Sequence, residues 1–330
     1  MKLLVCGSEG RLMSWVIPRL LEGGHEVTGI DNCAKWGERK IRRAYRFVPG
    51  NCLDPSLLRP LLQGVEGVIQ AVASLYGVVG FHRHPADILT NDVGAHQTVL
   101  RLASLAGVRR VVFVSSSVVY EQCSSEPYLE EYADESVLPQ TDYGLSKIIG
   151  ERLSKAYWTQ YGLPFTIWRP FNIFDPMEDG SDDVGVCHVF ADFIHRLVFR
   201  QQNPLDILGD GYQRRSFVHI QEVAGAIAQY SFDERTLNET YNLGRDEVVT
   251  MRDLAGQIYE KACSHGLLRN GRTLEFRCQP VPRTDVRRRI GSFGKAERKL
   301  GWKAMRSLDT MLEERMDSLA EVHAVLPAVG

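Results

Sequence analysis

No apolar run in this chain approaches the roughly 20 residues that a membrane helix needs, so a spanning segment is not expected. Charge of one sign is equally scarce: 39 basic against 41 acidic residues leave a formal net charge of -2, with no long block of either. That balance offers no electrostatic footprint for nucleic acid and points to a small-molecule partner. Cysteine is present but unpatterned. Its seven copies, Cys6, Cys33, Cys52, Cys123, Cys187, Cys263 and Cys278, show neither a CxxC pair nor a Cys/His ligand spacing. A reduced, cytoplasmic, metal-free protein is expected. The first apolar run, Leu3 to Cys6, is too short for an export-signal core, so neither export nor anchoring is expected. Repeats and low-complexity stretches are missing as well.

What remains is an ordinary globular composition, 44% hydrophobic and 24% charged over 330 residues, enough for one large domain or two intimate ones. Short apolar runs at Leu3–Cys6, Glu26–Ile30, Arg46–Val48, Gly67–Ala71, Arg110–Ser115 and Pro164–Arg169 read as strands. Helices fit between most of them, one running from about Ala86 to Ala106 behind Pro85. Continuous apolar runs such as Val111-Val112-Phe113-Val114 suit buried parallel strands, and the βαβ rhythm predicts an α/β fold with a doubly wound parallel sheet. After Asn172 the rhythm breaks. A turn-rich acidic stretch, Phe174 to Gly185, precedes a helix predicted at Val189–Phe199 and marks a domain boundary or lid. Leu308–Val325 reads as a last amphipathic helix.

The first strand runs into Gly7-Ser8-Glu9-Gly10-Arg11-Leu12-Met13-Ser14. Glycines there permit a tight turn whose N–H groups meet a pyrophosphate at a helix N-terminus. Met13 stands where a third glycine would allow close helix packing, so a somewhat displaced helix or looser grip is expected. Asp31 ends the second strand about twenty residues on, where a carboxylate receives ribose hydroxyls and repels a 2'-phosphate. NAD is therefore preferred over NADP. Tyr143 and Lys147 lie four residues apart on one helix face. An adjacent ammonium stabilises a phenolate and brings its pKa toward the working range. The strand Val111–Val114 ends in Ser115-Ser116-Ser117, which puts hydroxyls at the carboxyl edge of the sheet, where ligands of open α/β folds bind.

Through these residues and the motifs around them, the chain resembles the extended short-chain dehydrogenase/reductases, in particular the nucleotide-sugar epimerase/dehydratase branch. The resemblance runs through Gly7-x-x-Gly10, Asp31-Asn32, Asn51, Ala71-Val72-Ala73, Asn91-x-x-Gly94, Ser115-Ser116-x-x-Val119-Tyr120, Tyr143-Gly144-x-Ser146-Lys147, Arg169-Pro170-Phe171-Asn172, Gly209 to Phe217, and Leu300-Gly301-Trp302. It implies a Rossmann-type cofactor domain (1–172 with 217–245) and a smaller C-terminal α/β domain for a nucleotide-diphosphate sugar (173–216 with 246–330). By the same resemblance Gly7, Gly10, Arg11, Leu12, Asp31, Asn32, Asn51, Cys52, Ala71, Val72, Ala73, Asn91, Ser115, Pro170 and Phe171 hold NAD together with Tyr143 and Lys147. Phe171 is placed near the nicotinamide. Ser116, Asn172 and Arg215 hold the substrate, joined by an arginine of the 283–289 segment, assigned to Arg287; a guanidinium fork matches phosphate geometry. A homodimer through the helices near 86–106 and at Tyr143 is implied too.

In this family the tyrosinate takes a sugar hydroxyl proton while the C4 hydride passes to NAD. Further acid/base groups then decide the outcome: an Asp-Glu pair after the catalytic hydroxyl in the 4,6-dehydratases, a Glu two residues after it in decarboxylases, a Cys there in 3,5-epimerising relatives. Here Ser117 and Val118 occupy those places, and neither is a strong acid or base at neutral pH. Inversion at C4 is the expected reaction. A 4-ketoreductase or dehydrogenase, a 3,5-epimerase, a 4,6-dehydratase and a non-catalytic dinucleotide sensor stay open as alternatives. The segment from Leu75 to His84 is similar to the loop of the GDP-sugar epimerases and reductases, and His82 or His84 could supply an acid/base group from another direction; surface histidines are the plainer reading. Glu126, Glu130, Glu131, Asp134 and Glu135 are expected in a solvated loop.

Overall fold

The structure, a computed structural model, describes residues 1–35, 37, 44–74, 77–135, 138–268, 271–281 and 286–325. Fourteen strands are found among them: β1 Lys2–Cys6, β2 Glu26–Asp31, β3 Arg46–Pro49, β4 Gly67–Gln70, β5 Arg110–Val114, β6 Phe165–Pro170, β7 Ile173–Phe174, β8 Leu205–Leu208, β9 Arg214–Ser216, β10 Val218–His219, β11 Glu239–Leu243, β12 Val248–Thr250, β13 Phe276–Gln279 and β14 Arg288–Arg289. Seven form one sheet in the order β3-β2-β1-β4-β5-β6-β11, every neighbouring pair parallel. The expected doubly wound sheet is present. Its strand order reverses direction between β1 and β4, and the carboxyl ends at that switch point are where such sheets bind ligands.

Alternation along β1 assigns the two faces. Leu3 and Val5 pack with Met13, Val16, Ile17 and Leu20 of the helix Arg11–Glu22 and with Val223, Ala224 and Ile227 of the helix Ile220–Tyr230. Leu4 and Cys6 pack on the other face with Val99, Leu102 and Ala103 of the helix Gly94–Leu105. Met13 is thus a core residue, 1% exposed, filling the space between its helix and the sheet. A separate core gathers Phe174, Phe190, Phe193, Leu205, Ile207, Phe217, Leu254, Ile258, Met311, Leu312 and Met316. The last three come from the helix Leu308–Val325, which lies where the sequence predicts it.

Two local features position the site. The helix expected near 86–106 begins at Pro85 and is interrupted by a π turn, Leu89–Val93, before continuing as Gly94–Leu105. Such turns insert one residue and re-aim their neighbours. The helix Asp142–Tyr161 starts at Thr141, whose hydroxyl oxygen accepts from Gly144 N at 3.0 Å. It then lies close over β5 because a Cβ at Gly150 would fall 2.2 Å from Phe113 Cζ.

Candidate active site

Four strand ends meet at the switch point. β1 runs into Gly7, β2 ends at Asp31, β4 leads to Ala71, and β5 leads to Ser115 and Ser116. Gly7 has φ +81°, and a Cβ there would lie 3.0 Å from the carbonyl carbon and oxygen of Ala71. Only glycine brings the loop that close. Gly10 precedes the helix Arg11–Glu22 with no side chain capping its first turn, which leaves the N–H groups of Leu12 and Met13 facing an anion position. Asp31 accepts from Glu9 N (3.0 Å) and Cys33 N (2.7 Å), so the carboxylate is locked at the mouth of the loop with lone pairs left for hydroxyl donors. This cradle fits the pyrophosphate and ribose of a dinucleotide. Asn32 and Asn51 are exposed and turn back on Ala34 N and Leu53 N, while Cys52 is buried beside Cys6. Ala71, Val72, Ala73 and Asn91 are half-buried around the same opening.

The three catalytic candidates converge. The Ser116 hydroxyl acts on the Tyr143 phenol and accepts from Val118 N at 3.4 Å. Lys147 Nζ lies 5.6 Å from the Tyr143 ring centre and donates to the Val114 carbonyl at 3.1 Å. Burial pushes the lysine down to about 8, opposed by Asp92 and Glu151. The phenol is pushed above its usual range by burial and by the charge of Asp92, opposed by Ser116 and Arg289. The expected lowering of the phenol by Lys147 is not seen, because the ammonium is turned onto the Val114 carbonyl. Phe81 stacks on Tyr143, ring centres 4.6 Å apart and planes 7° apart. Ser117 and Val118 are both buried, the latter packed on Tyr143.

Several expected residues are placed differently. Arg11 bonds Asp175 at 2.6 Å and ties the phosphate loop to the segment after β7. Pro170 ends β6 and is buried, and the Phe171 ring is 1% exposed in a cluster with Tyr120 and Phe293, so it belongs to the core. Ser115 is buried and donates to Glu151. Asn172 donates to the Ser216 carbonyl at 2.8 Å, one residue from Arg215. Arg287 bonds Asp210 at 2.7 Å and is well exposed. Arg289 is the residue that faces Arg215 across β14 and β9, and its charge reaches Tyr143. Arg283 of the same segment lies outside the described residues, as do Leu75 and Tyr76 of the 75–84 loop. His82 and His84 are exposed, the latter 3.7 Å from Asp87.

Glu130 corrects the expectation of a solvated acidic loop. It is 6% exposed, accepts from Asn242 N at 3.0 Å, and its carbonyl accepts from Arg169. A carboxylate satisfied by strand N–H groups belongs inside. Asp92 is missing from the expected site although it is fully buried beside it. The signal is its place on the apolar stripe Ile88, Asp92, Ala95, Val99, where only a partnered carboxylate is tolerated.

The family model for the NAD-dependent epimerase/dehydratase family matches residues 3–244. The chain is 30% identical over 263 residues to an uncharacterised UDP-glucose epimerase of Bacillus subtilis, covering 75% of this chain and 78% of that one. It is 30% identical over 236 residues to the UDP-glucose 4-epimerase of Mycolicibacterium smegmatis, covering 69% and 72%. Among solved structures, the dTDP-glucose 4,6-dehydratase of Streptomyces venezuelae with NAD bound superimposes with a TM-score of 0.83 at 26% identity, covering 100% of both chains.

Proposed function

This chain belongs to the NAD-dependent epimerase/dehydratase family, and we propose that it inverts C4 of a nucleotide-diphosphate sugar through a transient 4-keto intermediate. NAD, when bound, would supply a hydride acceptor that returns the hydride in the same turnover. Tyr143 takes the proton of the C4 hydroxyl and later gives it back. Ser116 orients that oxygen. Lys147, now on the Val114 carbonyl, would hold the nicotinamide ribose. Asn172 and Arg215 hold the diphosphate, and Arg289 complements Arg215 better than Arg287, which is committed to Asp210.

The observation that carries C4 over the other carbons is the pair Ser117 and Val118, both buried beside Ser116 and Tyr143 and neither of them an acid. Water elimination and enolisation at C3 or C5 then lack a proton acceptor, even though a 4,6-dehydratase is among the similar structures. We divide the chain as 1–172 with 217–245 for the cofactor and 173–216 with 246–330 for the sugar. The two separate cores support this division, with Ala296, Leu300 and Ala304 reaching back to the sheet. A homodimer through the helices Gly94–Leu105 and Asp142–Tyr161 fits the exposed Leu105, Trp158 and Tyr161 on them. A cytoplasmic setting fits the seven free cysteines, and no described helix is long and apolar enough to cross a membrane.

The test is incubation with UDP-, GDP-, CDP-, ADP- and dTDP-sugars in deuterated water, followed by NMR of the products. Inversion at C4 without deuterium in the ring supports the proposal, and deuterium at C3 or C5 defeats it. Tyr143→Phe is expected to lower kcat by about 100- to 10,000-fold.

A further inference from the structure

We infer that Asp92 is a positioning residue of this site: its carboxylate, buried in the π turn behind Lys147, is the counter-charge that keeps the lysine an ammonium and sets the pH window in which Tyr143 works. The part of this inference that concerns turnover rests on the epimerase reading; the part that concerns Lys147 does not.

Asp92 is 0% exposed. One carboxylate oxygen accepts from Ser74 N at 2.9 Å, the other from Ser146 Oγ at 3.3 Å, and Ser146 is the neighbour of Lys147 in sequence. No cation is hydrogen-bonded to it among the described residues, yet a buried carboxylate without compensating charge is costly. Lys147 has the complementary problem. It is 2% exposed, and its one hydrogen bond among the described residues is to a neutral carbonyl. Each charge relieves the other's burial.

Glu151, the other acid acting on Lys147, is already neutralised: Arg169 grips it at 2.8 and 2.6 Å, and both side chains are unexposed. The remaining charged or titratable groups around Asp92 do not compete. On its own helix, His96 is buried, kept neutral by that burial, and bonded to Gln70 at 3.1 Å. The helix Asp142–Tyr161 contributes Tyr143 and Lys147 themselves. The 71–74 connection offers Ser74 N, and β14 offers Arg289, which acts on Tyr143. Asp92 is thus the carboxylate whose charge Lys147 balances.

Asp92→Asn keeps an oxygen for Ser74 N and removes the charge. Without it the ammonium gives up its proton at lower pH, and the phenol, no longer repelled, ionises at lower pH. Both limbs of the kcat–pH profile should move acidward by roughly one pH unit. Asp92→Glu, which keeps the charge, should keep the wild-type window even where kcat falls. The readout independent of turnover is a 13C-lysine NMR titration of the purified protein, with Lys147→Met identifying the resonance. Its midpoint, near 8 in the wild type, should fall by about one unit in Asp92→Asn. If Asn does not give folded protein, Asp92→Ser is the second neutral variant and should shift the same way. An unmoved Lys147 midpoint, or an activity loss equal at every pH, overturns the inference. A shifted midpoint in a protein that turns over no nucleotide sugar supports Asp92 and sinks the epimerase reading instead.

Discussion

Glu151→Gln removes one negative charge from the floor of the site and leaves Arg169 facing an amide. In the wild type, Arg169 Nε and Nη2 lie 2.8 and 2.6 Å from the two carboxylate oxygens, with side chains 0% and 1% exposed. Glutamine keeps one acceptor and turns an N–H group toward the other guanidinium N–H. One charge-assisted bond, about 1.5–3 kcal/mol, is lost outright. The guanidinium is also left uncompensated, and breaking a buried pair costs about 3–5 kcal/mol. Tyr120 OH at 2.6 Å and the Glu130 carbonyl still bind Arg169, so the expected loss is near the lower end, about 3 kcal/mol. Urea unfolding at pH 7, followed by intrinsic fluorescence, measures it as a lower midpoint at unchanged slope. The double variant Glu151→Leu/Arg169→Leu should be more stable than either single one, because apolar residues of similar volume replace a buried pair with little cost. A loss below about 1 kcal/mol in Glu151→Gln would mean that the pair is hydrated and that the packing described around β5 and β6 is wrong.

Gly7→Ala forces a Cβ to 3.0 Å from the Ala71 backbone at φ +81°; strain of about 1–3 kcal/mol should weaken NAD binding by about 5- to 150-fold by calorimetry, and unchanged affinity would refute the cradle. Asp31→Ser removes both the ribose acceptor and the repulsion of a 2'-phosphate, so NAD affinity should fall about 10-fold while NADP binding improves in the same titration. His219 is held down to about 4 by burial and by the charges of Arg306 and Arg19. The unfolded chain takes up that proton near pH 6.5, the folded chain only near 4. Stability is therefore fully present above pH 6.5 and is lost as pH falls toward 4, by about 3 kcal/mol. Urea midpoints of His219→Asn should lack that part of the pH dependence.

The sheet was legible because buried parallel strands are continuous apolar runs, and β1, β2 and β5 end at a glycine, an acid and hydroxyls. Ser116, Tyr143 and Lys147 were legible for a geometric reason: four residues on one helix face and one strand end suffice to bring them together. The rest depended on groups whose burial periodicity does not announce. Glu130 read as solvated because its partners, Asn242 and Arg169, are remote in sequence. Asp92 sits on an apolar helical stripe, inside a π turn that periodicity does not announce. Phe171 lies next to the site in sequence, but its ring turns into the core against Phe293. Arg287 and Arg289 are two residues apart, hence on the same side of a strand, and what distinguishes them is Asp210, an acid on a different loop that pairs with Arg287.

The most direct test of C4 inversion follows one hydrogen. A nucleotide sugar carrying deuterium at C4, incubated in ordinary water, should give a product inverted at C4 that retains the deuterium there, and Tyr143→Phe should nearly abolish its formation. Deuterium released to solvent, or a product inverted at another carbon, would contradict the account.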